Sequence, residues 1–218
     1  MDPSLQSKAI VGENVIIHFV CTNSAGGSST VLPGFSFSSS ATNSTKSNSC
    51  PLSYCGLEKV TGSGVRMSCI DCFIKNGSLY LFKYEASREF LLSKLRGGTC
   101  TTATSDPVEQ VIRRATYLFE NGYKEYHLLT NNCEDFSLYC KTGLWSTDIN
   151  KQGRSSQANM VRHGEDDEHE HKSGKILKKV TNAIPKYCLK RMNYDLGNRL
   201  DLVKVDVIEL LSFICSQK

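Results

Sequence analysis

At 218 residues the chain is long enough to bury one proper core, and its length alone asks for no second domain. Ten cysteines, with no charged-then-apolar leader after Met1, point to a reducing cytosol, where excess cysteine serves metal binding or catalysis more than disulfides. A formal charge of +4 without a stripe of Lys and Arg interleaved with aromatics argues against a nucleic-acid partner, and no apolar run approaches the roughly 18 residues of a membrane span.

The opening AIVGENVIIHFVC reads as a turn at 12–14 followed by a β-branched strand from Val15 to Cys21, with His18 inside it. From 22 to 49 the chain is mostly Ser, Thr, Gly and Asn, which bury too little apolar surface to offset ordering entropy and so predict a mobile loop. CPLSYCG and SCIDC follow. In SLYLFKYE, Leu79, Leu81 and Lys83 are expected on one face of a strand and Tyr80, Phe82 and Tyr84 on the other, both mostly buried. SDPVEQVIRRATYLFENG predicts a helix capped by Asp106, with Pro107 at its first position, Glu109 completing a capping box and Gly122 as its stop. Val108, Val111, Ile112, Ala115, Leu118 and Phe119 then share the face that packs on the sheet.

KEYHLLT predicts a further strand, leading into TNNCEDFSLYCKTG. There Asn131 or Asn132 caps a short helix, Phe136 and Tyr139/Cys140 point inward, and Gly143 closes it. Residues 146–173 are polar and then acidic, which predicts a linker, and 174–218 form a C-terminal segment that starts basic, in KSGKILKKVTNAIPKYCLKR. Basic residues with interspersed apolar ones suit peripheral contact with an anionic membrane surface.

Cys133 falls in the first turn of the predicted helix, near unpaired N–H groups and the positive end of the dipole. That setting draws a thiol below its ordinary value of about 8.5, toward thiolate. By spacing alone, a cysteine there is also read as a small packed residue. Cys50, Cys55, Cys69 and Cys72 resemble a four-cysteine structural zinc site, although the first pair is separated by four residues where a tight knuckle has two. Buried, reduced cysteine on elements flanking the loop is the competing reading. Cys100 follows a glycine turn near the site, while Cys21, Cys140, Cys188 and Cys215 read as structural. His127 reads as a buried or edge histidine, and the acidic run with His163, His169 and His171 as solvated.

NNCEDF resembles the asparagine-cysteine-glutamate motif of the lecithin:retinol acyltransferase-like family, which includes the H-Ras-like suppressor phospholipases and acyltransferases and is related to NlpC-type papain-like peptidases. RGGTCTTATSDPVEQVIRRATYLFENGYKEYHLLTNNCEDFSLYCKTGL is similar to the plant-type branch in particular, and YCLKRMNYDLGNRLDLVKVDVIEL to that branch's C-terminal segment. The resemblance spans roughly residues 9 to 145, apart from the Ser-rich loop. It implies an α+β, permuted papain-like (NlpC-like) fold with an antiparallel sheet packed against helices, and a domain over 1–145. It also implies a thiol-dependent acyltransferase or phospholipase that takes acyl lipids through a Cys133 acyl intermediate and needs no cofactor for catalysis.

His18 in VIIHF matches the second histidine of the family's H-box, an orienting residue. Aligned without gaps on Gly12 and His18, the box's leading histidine falls on Gln6, which cannot take a proton from a thiol. That departure sets a second expectation beside the enzyme: a catalytically impaired, zinc-stapled scaffold or binding protein. A cytoplasmic and membrane-peripheral location is expected in either case.

Overall fold

The computed structural model describes residues 9–10, 14–22, 50–56, 62–74, 79–94, 98–148, 153–155 and 191–216. The readings of Gln6, of 23–49, of His163, His169, His171 and Cys188, and of the basic stretch before 191 lie outside them.

Val15, Ile16, Ile17 and Val20 suit a pleated, doubly covered strand, and β2 (Val15–Thr22) forms as the sequence predicts. It is the middle strand of an antiparallel sheet, between β1 (Ala9–Ile10) and β3 (Gly62–Cys69). Phe19 pairs with Val65 and His18 with Arg66, a register that sends Ile17, Phe19 and Val65 into the main apolar cluster. Helix α1 (Ile70–Ile74) begins directly where β3 ends. A satellite cluster of Ala86, Leu91 and Cys100 forms around α2 (Arg88–Ser93), which Ser87 caps by accepting the N–H of Phe90.

The main cluster is completed by α3 (Val108–Asn121) and α4 (Cys133–Thr142), through Val111, Ala115 and Leu118 on one helix and Phe136, Tyr139 and Cys140 on the other. Beyond α4, strand β4 (Leu144–Ser146) pairs antiparallel with β5 (Leu202–Lys204), and α5 (Leu210–Ser216) follows. Val205, Val207, Leu210 and Ile214 lie in the same cluster as Phe19, and the Tyr139 hydroxyl donates to Val205 O at 3.0 Å. The C-terminal residues therefore share one core with the helices. The class is α+β with small antiparallel sheets, and no helix among the described residues is long and apolar enough to cross a membrane.

Four local expectations change. SLYLFKYE forms no strand beyond an isolated Lys83–Cys100 bridge, and Tyr80 and Leu81 are 67% and 89% exposed. An apolar run names no partner strand, and here the chain bends away at Glu85, which adopts φ 52°. KEYHLLT is likewise no strand: His127 and Asn131 pair across the turn 128–130. In α3, Pro107 stands at the cap position with no side-chain cap, because the Asp106 carboxylate instead accepts from Arg114 at 2.7 Å and from Lys204. The inner face of α3 narrows accordingly to Val111, Arg114, Ala115 and Leu118, leaving Val108 and Phe119 exposed. Lastly, part of the expected linker belongs to the core, since Ser146 lies in β4 and Arg154 and Ser155 are buried.

Candidate functional site around Cys133 and His18

Asn132 builds the start of α4. Its side-chain oxygen accepts from the N–H groups of Glu134 (2.8 Å) and Asp135 (3.1 Å), and the Asp135 carboxylate takes the Asn132 N–H at 3.1 Å, a reciprocal capping box. Its amide donates to Leu128 O at 2.6 Å and to Ser155 Oγ at 2.9 Å. The other Asp135 oxygen accepts from Arg154 N at 2.6 Å, and the Arg154 guanidinium donates to Asp135 O at 3.2 Å while lying 4.0 Å above the Trp145 ring. Because Asn132, Asp135, Arg154 and Ser155 are buried, their mutual hydrogen bonds fix the first turn inside the core.

The Cys133 thiol sits at this start, half-buried. Burial, and then the adjacent Glu134 carboxylate, push it up to about 12, while the Tyr126 hydroxyl and the Glu134 N–H, both hydrogen-bonded to the sulfur, pull the other way and lose. The expectation of a depressed value is thereby overturned. The physical reason is burial, ahead of the Glu134 carboxylate: the N–H groups of the helix start do not offset it, since Asn132 takes that of Asp135 and shares that of Glu134 with the sulfur.

His18 is 4% exposed, its Nε2 hydrogen-bonded to Ser68 Oγ at 2.7 Å and its ring edge-on to Phe73 with centroids 4.9 Å apart. Strand alternation sends the next residue, Phe19, the opposite way, to Tyr126 at 5.2 Å and Phe136 at 6.1 Å. The imidazole thus lies on the face of β2 away from Phe136, the residue one helical turn beyond Cys133. The fold brings Cys133 together with Tyr126, and His18 together with Ser68 and Phe73. His127 is exposed and stabilises its own turn, its Nδ1 accepting the N–H groups of Leu129 and Thr130 at 3.3 Å each.

Residues 9–146 match the family model described as lecithin retinol acyltransferase. The chain belongs to this family. It is 36% identical, over 205 residues that make up 92% of the chain and 77% of its relative, to Protein LEAD-SENSITIVE 1 of Arabidopsis thaliana. No solved structure matches. Membership of the lecithin retinol acyltransferase family supports a function of the acyltransferase type, whereas the relative's name states no activity.

Within the span of that family match, Cys50, Cys55, Cys69 and Cys72 place their sulfurs within 4.8 Å of one another and could hold a metal ion. The remaining described cysteines divide by environment. Cys140 is buried in the main cluster and Cys100 in the satellite one, but Cys21 and Cys215, expected to be structural, are exposed. Sequence reasoning passed over Tyr126, Ser68, Phe73 and Arg154. Only Tyr126 carried a signal, as an aromatic hydroxyl just before the cysteine turn.

Proposed function

We propose that this chain is a thiol-dependent acyltransferase or phospholipase acting on acyl lipids. The Cys133 sulfur attacks the ester carbonyl, the acyl C–O bond breaks and the departing alcohol takes up the thiol proton as the thioester forms; an amine, an alcohol or water then takes the acyl group and returns a proton to the sulfur. One observation carries the reading: the cysteine of NNCEDF stands at the first position of a rigidly capped helix, its sulfur held by the Tyr126 hydroxyl. With its resting value near 12, the thiol enters the reaction protonated and gives up its proton only as substrate binds. His18 is assigned an orienting part exercised through β2, since Ser68 and Phe73 fix one face of that strand while Phe19 presses the other on Tyr126 and Phe136.

On the same reading the fold is the permuted papain-like one, with residues 1–145 as the acyl-transfer unit and 174–218 as the C-terminal segment, and a linker between them from which Ser146, Arg154 and Ser155 are excluded by their place in the core. The basic stretch before 191 touches anionic lipid from the cytoplasmic side, and the four clustered cysteines hold a structural zinc. The test is release or transfer of fatty acid from phospholipid vesicles. Wild type should turn over, and Cys133→Ala should lose at least about a hundredfold in rate; equal rates in the two would refute the nucleophile.

The raised thiol and the Gln6 departure favour a second reading, a catalytically silent scaffold of the same shape. It requires that wild type and Cys133→Ala bind vesicles alike and that neither turns them over.

A further inference from the structure

Four sulfurs converge where β3 turns into α1, on the His18 side of the molecule. A zinc–sulfur bond of about 2.3 Å sets the edges of a tetrahedral four-thiolate site at about 3.8 Å. Cys50 Sγ and Cys69 Sγ are 3.8 Å apart. Both pairs also carry the N–H to sulfur hydrogen bonds that stabilise thiolate ligands: Cys72 N–H to Cys69 Sγ at 3.4 Å, and Leu52 N–H to Cys50. The wide spacing of the first pair is taken up by a turn in which Cys55 N–H donates to Leu52 O at 3.0 Å, and Gly56 N–H then ties this loop to Met67 O of β3 at 2.8 Å. Packing alone gives no reason for the convergence, because none of the four joins the apolar clusters described around Phe19, Leu91 and Leu138. None of the four is in a disulfide.

We propose that Cys50, Cys55, Cys69 and Cys72 bind one zinc ion, and that this centre positions His18. The link is adjacency along the chain. Ser68, which holds the His18 Nε2, immediately precedes Cys69, and Phe73, which packs against the His18 ring, immediately follows Cys72. With both flanking cysteines on one ion, the strand end and the helix move as one body, and the imidazole is seated between them. Release of the ion frees α1 and takes away both contacts at once. Four thiolates in tetrahedral array suit zinc, which is redox-inert and has no geometric demand of its own.

Zinc content is measured without substrate, so this assignment stands or falls apart from the acyl-transfer reading. The full chain, purified under reducing conditions, should contain about one zinc per chain. Cobalt substituted for zinc should give thiolate-to-metal charge-transfer absorption. Cys69→Ser and Cys72→Ser should each bring zinc below about 0.2 per chain, with the exposed Cys215→Ser unchanged. If the serine variants fail to fold, stepwise chelation of wild type gives the answer: zinc release should shift the His18 ring resonances while fluorescence of the single, buried Trp145 holds steady. A folded chain that holds no zinc and takes up no cobalt would overturn the proposal, as would iron in its place or zinc retained in Cys69→Ser. Zinc release that leaves the His18 resonances unmoved would overturn the positioning role.

Discussion

The start of α4 and the corner between β3 and α1 are both built around cysteine, yet they are held by opposite means. At α4, Asn132, Asp135, Arg154 and Ser155 are tied together by hydrogen bonds in the core beside Trp145, and the Cys133 sulfur is carried by a frame that would stand without it. At the corner the sulfurs of Cys50, Cys55, Cys69 and Cys72 lie within 4.8 Å of one another, with the apolar clusters elsewhere, and on the zinc proposal they would be the joint themselves. A cysteine set in a frame of other groups is available for chemistry. One that is itself the joint is not. The same contrast separates the two candidate catalytic residues, since Cys133 depends on the polar frame and His18 on the thiol corner.

The largest effect should come from breaking the polar frame. Arg154→Ala leaves the Asp135 carboxylate buried without its cation and should cost about 3–5 kcal/mol in chemical denaturation. If the variant unfolds at the wild-type midpoint, the frame does not hold α4. Next comes Gly143, at φ 68°, where a Cβ would stand 2.7 Å from Arg114 Nη2, itself paired with Asp106. Gly143→Ala should therefore lose about 1–2 kcal/mol for the left-handed backbone, and more if Arg114 is displaced. A thermal midpoint unchanged from wild type would show that the helix ends without need of that conformation.

The thiol itself offers a sharper probe of the frame than of stability. With a folded value near 12, above that of the unfolded chain, burial of the protonated form contributes stability in full below about pH 8.5, and this is lost as pH rises through 12. Alkylation of Cys133 should therefore lag behind that of exposed Cys21 and Cys215 at pH 8, and should rise about tenfold per pH unit without levelling below about pH 11. A plateau near pH 7 would mean an activated thiolate instead. The smallest effect concerns the β4–β5 pair. Burial raises the Asp201 carboxyl, but hydrogen bonds from Arg199 and Ser146 outweigh it and hold the group down to about 2. Its contribution is present above about pH 4 and lost as pH falls toward 2, so Arg199→Gln should flatten stability across that window. An acid limb identical to wild type would remove Asp201 from the account.

How much of this could be read beforehand depends on how local the signals are. Helix α4 was legible because its cap, inward residues and left-handed stop lie within TNNCEDFSLYCKTG, and β2 because its β-branched run admits little else. The role of Arg154 could not be read, since its carbonyl and carboxylate partner is 19 positions away and its neighbours are polar. Nor could the face occupied by His18, which follows from the β2–β3 register: a slip of one residue would turn the ring toward α4. The thiol value was misjudged for a related reason. The sequence supplied a helix start, but only the folded chain shows that burial and the Glu134 carboxylate outweigh it at the sulfur.

Mass spectrometry of the intact chain after incubation with an activated acyl lipid tests the central claim most directly. A hydroxylamine-labile acyl adduct mapping to Cys133 is predicted, absent in a folded Cys133→Ala control. No adduct on folded wild type, or an adduct that persists in the control, would contradict it.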